Sequence, residues 1–167
     1  MAAGAGRKVS TSIQVSASAE RALRAFLDPE LMKQWWGVER ALVEERKGGP
    51  WALAWGASEH GYHYVVSGVI KSLLPGKRLR IDSLVYFRPD FPVLGPMRLF
   101  VNVREKDGRT RVSVRQDGYG QGPEMHHSRI PDQIPSARNL VAPVLGMKDN
   151  RLHMLGEFGS SRHHVRV

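Results

Sequence analysis

A pair of short helices joined at a proline constrains the fold of this chain more than any other feature. Residues 16 to 37 read SASAERALRAFLDPELMKQWWG. In the first half, apolar residues recur three and four positions apart, which places them in one stripe along one helix face. Ser16 or Ser18 can cap the first helix. Asp28 is a suitable N-cap for the second helix, Pro29 fits its first turn, and Gly37 is suited to end it. The pattern therefore predicts two consecutive helices.

Strands are predicted on both sides of this helix pair. Residues 9 to 15 alternate between two faces with a period of two, as in a half-buried strand. About six more strands follow the helices, separated by turns at residues 47 to 50, 74 to 77 and 106 to 109. The segment from Arg88 to Pro96 contains three prolines. Because proline has no N–H to donate, this segment is predicted to be a loop or an edge segment rather than a ladder strand.

The composition excludes several classes of mechanism. The chain has 167 residues, which predicts one domain, and no cysteine, which removes disulfides, thiolate nucleophiles and cysteine-based zinc sites. Its 25 Lys and Arg against 16 Asp and Glu give a net charge of +9. The basic residues are scattered and alternate with apolar ones, so we expect a charged sheet face and no nucleic-acid partner. The absence of cysteine also favours the cytoplasm, and we predict a cytoplasmic protein. No apolar run reaches the roughly 18 residues of a membrane span, and no membrane partner is predicted.

Several short motifs, in order, carry a family resemblance. They are Ile13-Gln14-Val15, Asp28-Pro29-Glu30 followed by Trp35-Trp36, Gly48-Gly49-Pro50-Trp51, Gly68-Val69-Ile70 leading to Leu74-Pro75-Gly76-Lys77-Arg78-Leu79, and Val112-Ser113-Val114 leading to residues 118 to 122. Over about residues 9 to 124 the chain resembles the START-like helix-grip superfamily (SRPBCC), and within it the branch similar to the C-terminal domain of the activator of Hsp90 ATPase. The resemblance implies an α+β fold. In it, a curved antiparallel sheet of about six or seven strands, with two short helices after the first, wraps around a C-terminal helix and leaves an apolar cavity.

The end of the chain departs from that family pattern. Pro131 and Pro135 forbid a helix before Ser136, and Pro143 interrupts the helical spacing that follows, at a cost of about 3 kcal/mol. We therefore expect a C-terminal helix that is short, kinked or atypical. The predicted division of the chain is a disordered leader at residues 1 to 8, a START-like body at 9 to 124 and an atypical C-terminal segment at 125 to 167.

Aromatic residues are the best candidates for contact with a ligand, because indole and phenol groups combine a large apolar area with one polar atom. The predicted cavity residues are Trp36, Trp51, Trp55, Tyr64, Tyr86, Arg98 and Phe100. Ordinary core packing is the alternative for this set. His60 and His63 form an H-x-x-H pair, but a three-residue offset on a strand places two side chains on opposite faces, so no metal site is predicted.

No catalytic fingerprint or cofactor motif is present, and no catalytic residue and no cofactor are predicted. The residues 56 to 60 lack the closing glycine of a nucleophile elbow. In superfamily relatives that catalyse reactions, such as polyketide cyclases, polar residues line the cavity. By that resemblance Asp82, Tyr86, Arg98 and Asn102 are candidates for acid, base or orienting roles, with surface placement as the alternative.

These observations lead to three functional hypotheses. The first is the binding of a small apolar molecule in a cavity between the sheet and the C-terminal segment, without catalysis. The alternative is a protein-interaction module of the Hsp90-activator kind, whose partner would be a chaperone-type protein and whose contact would be the basic exterior. A polyketide cyclase-like enzyme is the third. The oligomeric state and the identity of the ligand stay open.

Overall fold

A computed structural model of the chain describes residues 7–89 and 91–119. It contains seven strands and two helices in this order: β1 (Arg7–Val15), α1 (Ala19–Arg24), α2 (Pro29–Trp36), β2 (Arg40–Val43), β3 (Pro50–Ser58), β4 (Gly61–Leu74), β5 (Arg78–Arg88), β6 (Phe91–Lys106) and β7 (Arg109–Tyr119). The fold is α+β, and the predicted order of one strand, two helices and six further strands is confirmed.

All seven strands belong to one curved antiparallel sheet of order β1-β7-β6-β5-β4-β3-β2. From β2 to β7 each strand pairs with its neighbour in sequence, so these strands form a meander. The first strand pairs with the last, from Lys8 opposite Asp117 to Val15 opposite Thr110. The predicted helix-grip architecture is confirmed in this sheet and its helix pair.

The starts of both helices and the end of α2 follow the sequence, whereas α1 ends at Arg24, before the apolar stripe that reaches Leu27. The Ser18 hydroxyl accepts a hydrogen bond from the Arg21 N–H at 3.2 Å and caps α1. The Asp28 carboxylate accepts from the Glu30 N–H at 2.9 Å and caps α2, which Gly37 ends in a left-handed conformation with φ 68°. Each helix therefore begins where a side chain satisfies a free backbone N–H, and α2 ends where glycine permits a left-handed conformation.

The two faces of the sheet differ in chemistry. The inner face, which carries Trp51, Leu53 and Val101, packs against the two helices, and these three side chains are at most 1% exposed. The outer face, which carries Arg80, Phe100 and Arg115, is lined by charged and polar side chains. Because strand residues alternate between faces, each strand contributes to the core on one side only.

Two expectations need correction. Arg7 and Lys8, assigned to a disordered leader, belong to β1, because both pair with residues of β7. The proline-rich segment, which we expected not to be a ladder strand, forms the first part of β6, and its Leu94 pairs with Tyr86 of β5. The pairing of β6 with β7 starts only at Arg98. Among the described residues, the segment from residue 91 to Pro96 is thus paired on one side only, which agrees with the predicted edge segment. On the unpaired side, no neighbouring strand needs a hydrogen bond from the proline nitrogens.

No helix within residues 7–89 and 91–119 is long and apolar enough to cross a membrane. The predictions for residues 1 to 6, and for the atypical C-terminal segment at 125 to 167, lie outside the described residues.

Candidate functional site

Five of the predicted cavity residues lie on or against the inner face. We call Trp36, Trp51, Trp55, Tyr64 and Tyr86 the aromatic cluster. Trp36, on α2, lies 5.1 Å from Trp55 and 6.2 Å from Trp51 between ring centroids, and stacks on the buried Trp35 at 5.0 Å. Trp51 belongs to the core, whereas Trp36 and Trp55 are half-buried. The half-buried rings form the accessible part of this apolar surface.

The indole N–H groups tie the helices to the sheet. Trp35 donates to the Ala25 carbonyl at 2.7 Å, and Trp51 donates to the Phe26 carbonyl at 2.8 Å. Trp55 donates to the Trp36 carbonyl at 3.1 Å. These bonds satisfy the polar atoms of three indoles. Of these three rings, the half-buried Trp55 offers apolar area to a molecule that approaches the inner face.

Glu39 holds the strand segment next to Trp55. Its carboxylate accepts hydrogen bonds from the backbone N–H groups of Gly56 and Ala57, both at 2.9 Å. Gly56 has φ 68°, and the pairing of β3 with β4 skips this residue between Trp55 and Ala57. The carboxylate thus satisfies two backbone donors at a point where the pairing of β3 with β4 is interrupted.

The aromatic cluster continues along β4 and β5. Tyr64 pairs directly with Trp55 across the strands, and the Arg88 guanidinium lies 5.1 Å from the centroid of the Tyr64 ring. A cation over an aromatic face is attracted by the ring quadrupole. This end of the cluster therefore combines an aromatic ring with a positive charge.

A buried polar pair lies on the same face. The Gln116 amide donates to the Tyr86 hydroxyl at 3.4 Å and to the Met97 sulfur at 3.3 Å. Gln116 is 1% exposed, and Tyr86 is half-buried. Burial raises the pKa of the Tyr86 phenol to about 12, and the hydrogen bond with Gln116 opposes this rise. The phenol is therefore a neutral hydrogen-bonding group and a poor general base near neutral pH.

Arg98 and Phe100 do not join the aromatic cluster. They alternate along β6 with the inner residues Leu99 and Val101 and lie on the outer face. The Phe100 ring is covered there by Arg80, at 5.3 Å, and Arg115. The prediction that Arg98 and Phe100 line the same cavity as the tryptophans is wrong, because the alternation of β6 turns them away from the core that Leu99 and Val101 enter.

The same alternation separates the polar candidates for catalysis. Asp82 binds the outer-face Arg80 with two hydrogen bonds, at 2.7 and 2.9 Å, and Asn102 pairs with Ser113 on that face. Of the four candidates, Tyr86 alone lies on the inner face. Within residues 7–89 and 91–119, no group of three His, Cys, Asp or Glu side chains could hold a metal ion.

Sequence reasoning missed Gln116 and Arg88 as members of the inner face. For Gln116 a signal exists, because it continues the alternation of Val112 and Val114, which are buried. A polar residue in register with buried ones points to a buried hydrogen bond. Arg88 likewise continues the alternation of Leu84 and Tyr86 on β5, which is the corresponding signal for its place on the inner face.

The curved seven-stranded sheet, the capped helix pair and the aromatic inner face together define a helix-grip domain of the START-like class. The family described as activator of Hsp90 ATPase homolog 1-like protein matches residues 16–132, and the chain belongs to this family. No curated protein sequence matches the chain.

Solved structures share the fold. A protein of Chromobacterium violaceum has 24% sequence identity and a TM-score of 0.59, with 85% of this chain and 99% of that chain covered. A protein of Rhizobium loti has 14% identity and a TM-score of 0.58, covering 67% of this chain and 78% of that one. An HSP90 activator of Plasmodium falciparum has 14% identity and a TM-score of 0.53, covering 68% and 74%. At these identities the likeness extends to the fold alone.

Proposed function

We propose that this protein binds a small apolar molecule on the inner face of its sheet, against the aromatic cluster. The observation that supports this is the half-buried group of rings formed by Trp36, Trp55, Tyr64 and Tyr86 on one face. The Trp55 N–H and the Tyr86 hydroxyl are bonded within the protein. A ligand would therefore meet aromatic surface with few competing polar groups, as in most small-molecule sites.

Native mass spectrometry of the freshly purified protein is the direct test. We expect an extra mass that disappears on denaturation, and its value would start the identification of the ligand. A neutral fluorescent probe, N-phenylnaphthylamine, measures the site independently of any ligand carried through purification. Because the binding energy comes from apolar contact, we expect its Kd to change little with salt.

Two matched variants locate the site. Trp36→Leu removes ring surface from the inner face, and we expect it to weaken probe binding about tenfold. Phe100→Leu removes a ring from the outer face, and we expect the Kd to stay unchanged. Equal losses in both variants, or no saturable binding by the unmodified protein, would overturn the proposal.

A second candidate is a protein-interaction module that contacts a chaperone of the Hsp90 class. It is supported by the family description and by the basic outer face, where Arg78 and Arg104 have no ion pair among the described residues. Such a complex would weaken steeply between low and high salt, because exposed charges are screened. A pull-down with purified Hsp90 at two salt concentrations separates this candidate from salt-independent ligand binding.

A further inference from the structure

An open groove with a volume of about 720 Å³ lies on the outer face, away from the aromatic cluster. It runs from the turn between β4 and β5 across the C-terminal part of β6 and the N-terminal part of β7. Four basic side chains line it, and Asn102 and Ser113 supply neutral hydrogen-bonding groups between them. The four are Lys77, Arg78, Arg104 and Arg111.

The strand register explains why these residues meet. Arg78 pairs with Asn102, and Asn102 pairs with Ser113, so these three form one row across the sheet. Arg104 pairs with Arg111 in the next row on the same face. Neighbouring strands are about 4.8 Å apart, and residues two apart on a strand are about 7 Å apart. Long basic side chains from both rows can therefore converge on one small anion.

The charges of this groove are uncompensated, in contrast to those beside it. Arg80 is bonded to Asp82, and Arg115 lies 3.2 Å from Asp117. Within residues 7–89 and 91–119, no carboxylate forms an ion pair with Lys77, Arg78, Arg104 or Arg111. Arg111 donates instead to the Ser12 hydroxyl at 3.0 Å, which restrains its guanidinium. Four like charges around one groove attract an anion of several charges.

We propose that this groove binds a soluble small molecule that carries two or more phosphate groups. Guanidinium groups bind phosphate oxygens through paired N–H donors, and the Asn102 amide and Ser113 hydroxyl can add neutral donors. The groove has the size of a small-molecule site. Leu74, 42% exposed at its edge, offers apolar contact to the organic part of the ligand. A single-stranded nucleic acid fits less well, because the nearby ring of Phe100 is covered by arginines and cannot stack on a base.

Inorganic tripolyphosphate is the probe for the test, at constant ionic strength, with binding measured by calorimetry. We expect saturable binding, and we expect the double variant Arg104→Gln and Arg111→Gln to weaken it at least about tenfold. The matched control is Lys33→Gln with Lys47→Gln, which removes the same charge from exposed positions outside the groove. We expect the control to change the Kd less than about twofold.

A second measurement needs no variant. In an amide NMR titration of the unmodified protein with tripolyphosphate, we expect the largest shifts at Lys77, Asn102 and Ser113. Equal weakening in the groove variant and the control would overturn the proposal, as would the absence of saturable binding or shifts spread over the whole surface.

The remaining arms separate the sources of negative charge. Oligoglutamate tests for an acidic peptide as the ligand. If it binds as tightly as tripolyphosphate, and the groove variant weakens both by the same factor, the proposal of a phosphate site is overturned. Binding to vesicles of phosphatidylcholine with phosphatidic acid, but not to tripolyphosphate, would assign the phosphate to a lipid headgroup and overturn a soluble ligand.

Discussion

The indole N–H of Trp51 on β3 donates to the main-chain carbonyl of Phe26, at the end of the first helical segment, at 2.8 Å. Both side chains are 1% exposed. This bond joins the sheet to the helix pair at a point where water cannot replace it. A buried carbonyl without a partner costs about 1 to 3 kcal/mol.

Replacement of Trp51 by phenylalanine should therefore be strongly destabilising. Trp51→Phe removes the donor and leaves a cavity, and we expect the free energy of unfolding to fall by about 2 to 4 kcal/mol. Trp55→Phe is the matched control, because Trp55 also donates to a carbonyl but is half-buried, and we expect a loss of about 1 kcal/mol. Urea unfolding followed by circular dichroism measures both. Equal losses would contradict the role given to the buried bond.

The cap of α2 gives a second prediction. Asp28→Ala removes the acceptor for the Glu30 N–H and should lower the free energy of unfolding by about 1 kcal/mol. Asp28→Asn keeps a capping oxygen and should cost a few tenths at most. The ion pair of Asp28 with Arg24, at 3.4 Å and partly exposed, contributes little. A loss in Asp28→Asn as large as in Asp28→Ala would show that charge, not the cap, stabilises this helix.

Two glycines should respond differently to alanine. At Gly49, which is buried, a Cβ would clash with the backbone carbonyl of Glu44. Both residues are held by backbone hydrogen bonds, because the Ile70 N–H donates to the Gly49 carbonyl and the Glu44 N–H donates to the Pro50 carbonyl. We expect Gly49→Ala to cost about 3 kcal/mol or more, or to prevent folding. At Gly108, in the tight turn between β6 and β7, a Cβ meets open space and the cost is the strained φ of 71°, about 1 kcal/mol. Thermal unfolding measures the loss of stability in both variants. A larger loss in Gly108→Ala than in Gly49→Ala would contradict the close packing at Gly49.

The Tyr86 phenol predicts a loss of stability in alkali. Its pKa lies at about 12 in the folded protein, against the ordinary value of 10.0. Between these values the unfolded chain releases the proton while the folded protein keeps it, so the free energy of unfolding falls as pH rises. Other groups titrate in this range, and the comparison of the unmodified protein with Tyr86→Phe isolates the phenol. The fall between pH 10 and pH 12 should be shallower in Tyr86→Phe, and identical slopes would contradict the shift.

The parts of the fold that depend on local chemistry could be predicted from the sequence. The caps at Ser18 and Asp28 and the turn at Gly108 follow from residues that satisfy backbone groups within a few positions. The proline-rich segment was only half predicted. A proline in the sequence shows that a backbone N–H is missing. Whether a neighbouring strand would accept a hydrogen bond from that N–H depends on the arrangement of the sheet.

The candidate site could be predicted only in part, because the face of a strand residue depends on register. Tyr64 and Tyr86 reach the inner face, whereas Phe100 and Arg98 lie on the outer one, although all four belong to apolar and basic strands of similar composition. The alternation of Leu99 and Val101 already fixed that outcome for Phe100. The outer groove could not be predicted, since its basic residues come together only through pairings between three strands.

The pairing of the first strand with the last also has a consequence during synthesis. The partners in β1 and β7 lie about 100 residues apart in the chain. Pairing over this separation raises the contact order of the fold, and folding becomes slower as contact order rises. On the ribosome, β1 emerges several seconds before β7 exists, at about 5 to 20 residues per second. During that time β1 has no β7 with which to pair. Because polar residues, among them Ser10, Ser12 and Gln14, alternate along β1, this segment has only one apolar face that other nascent chains could contact.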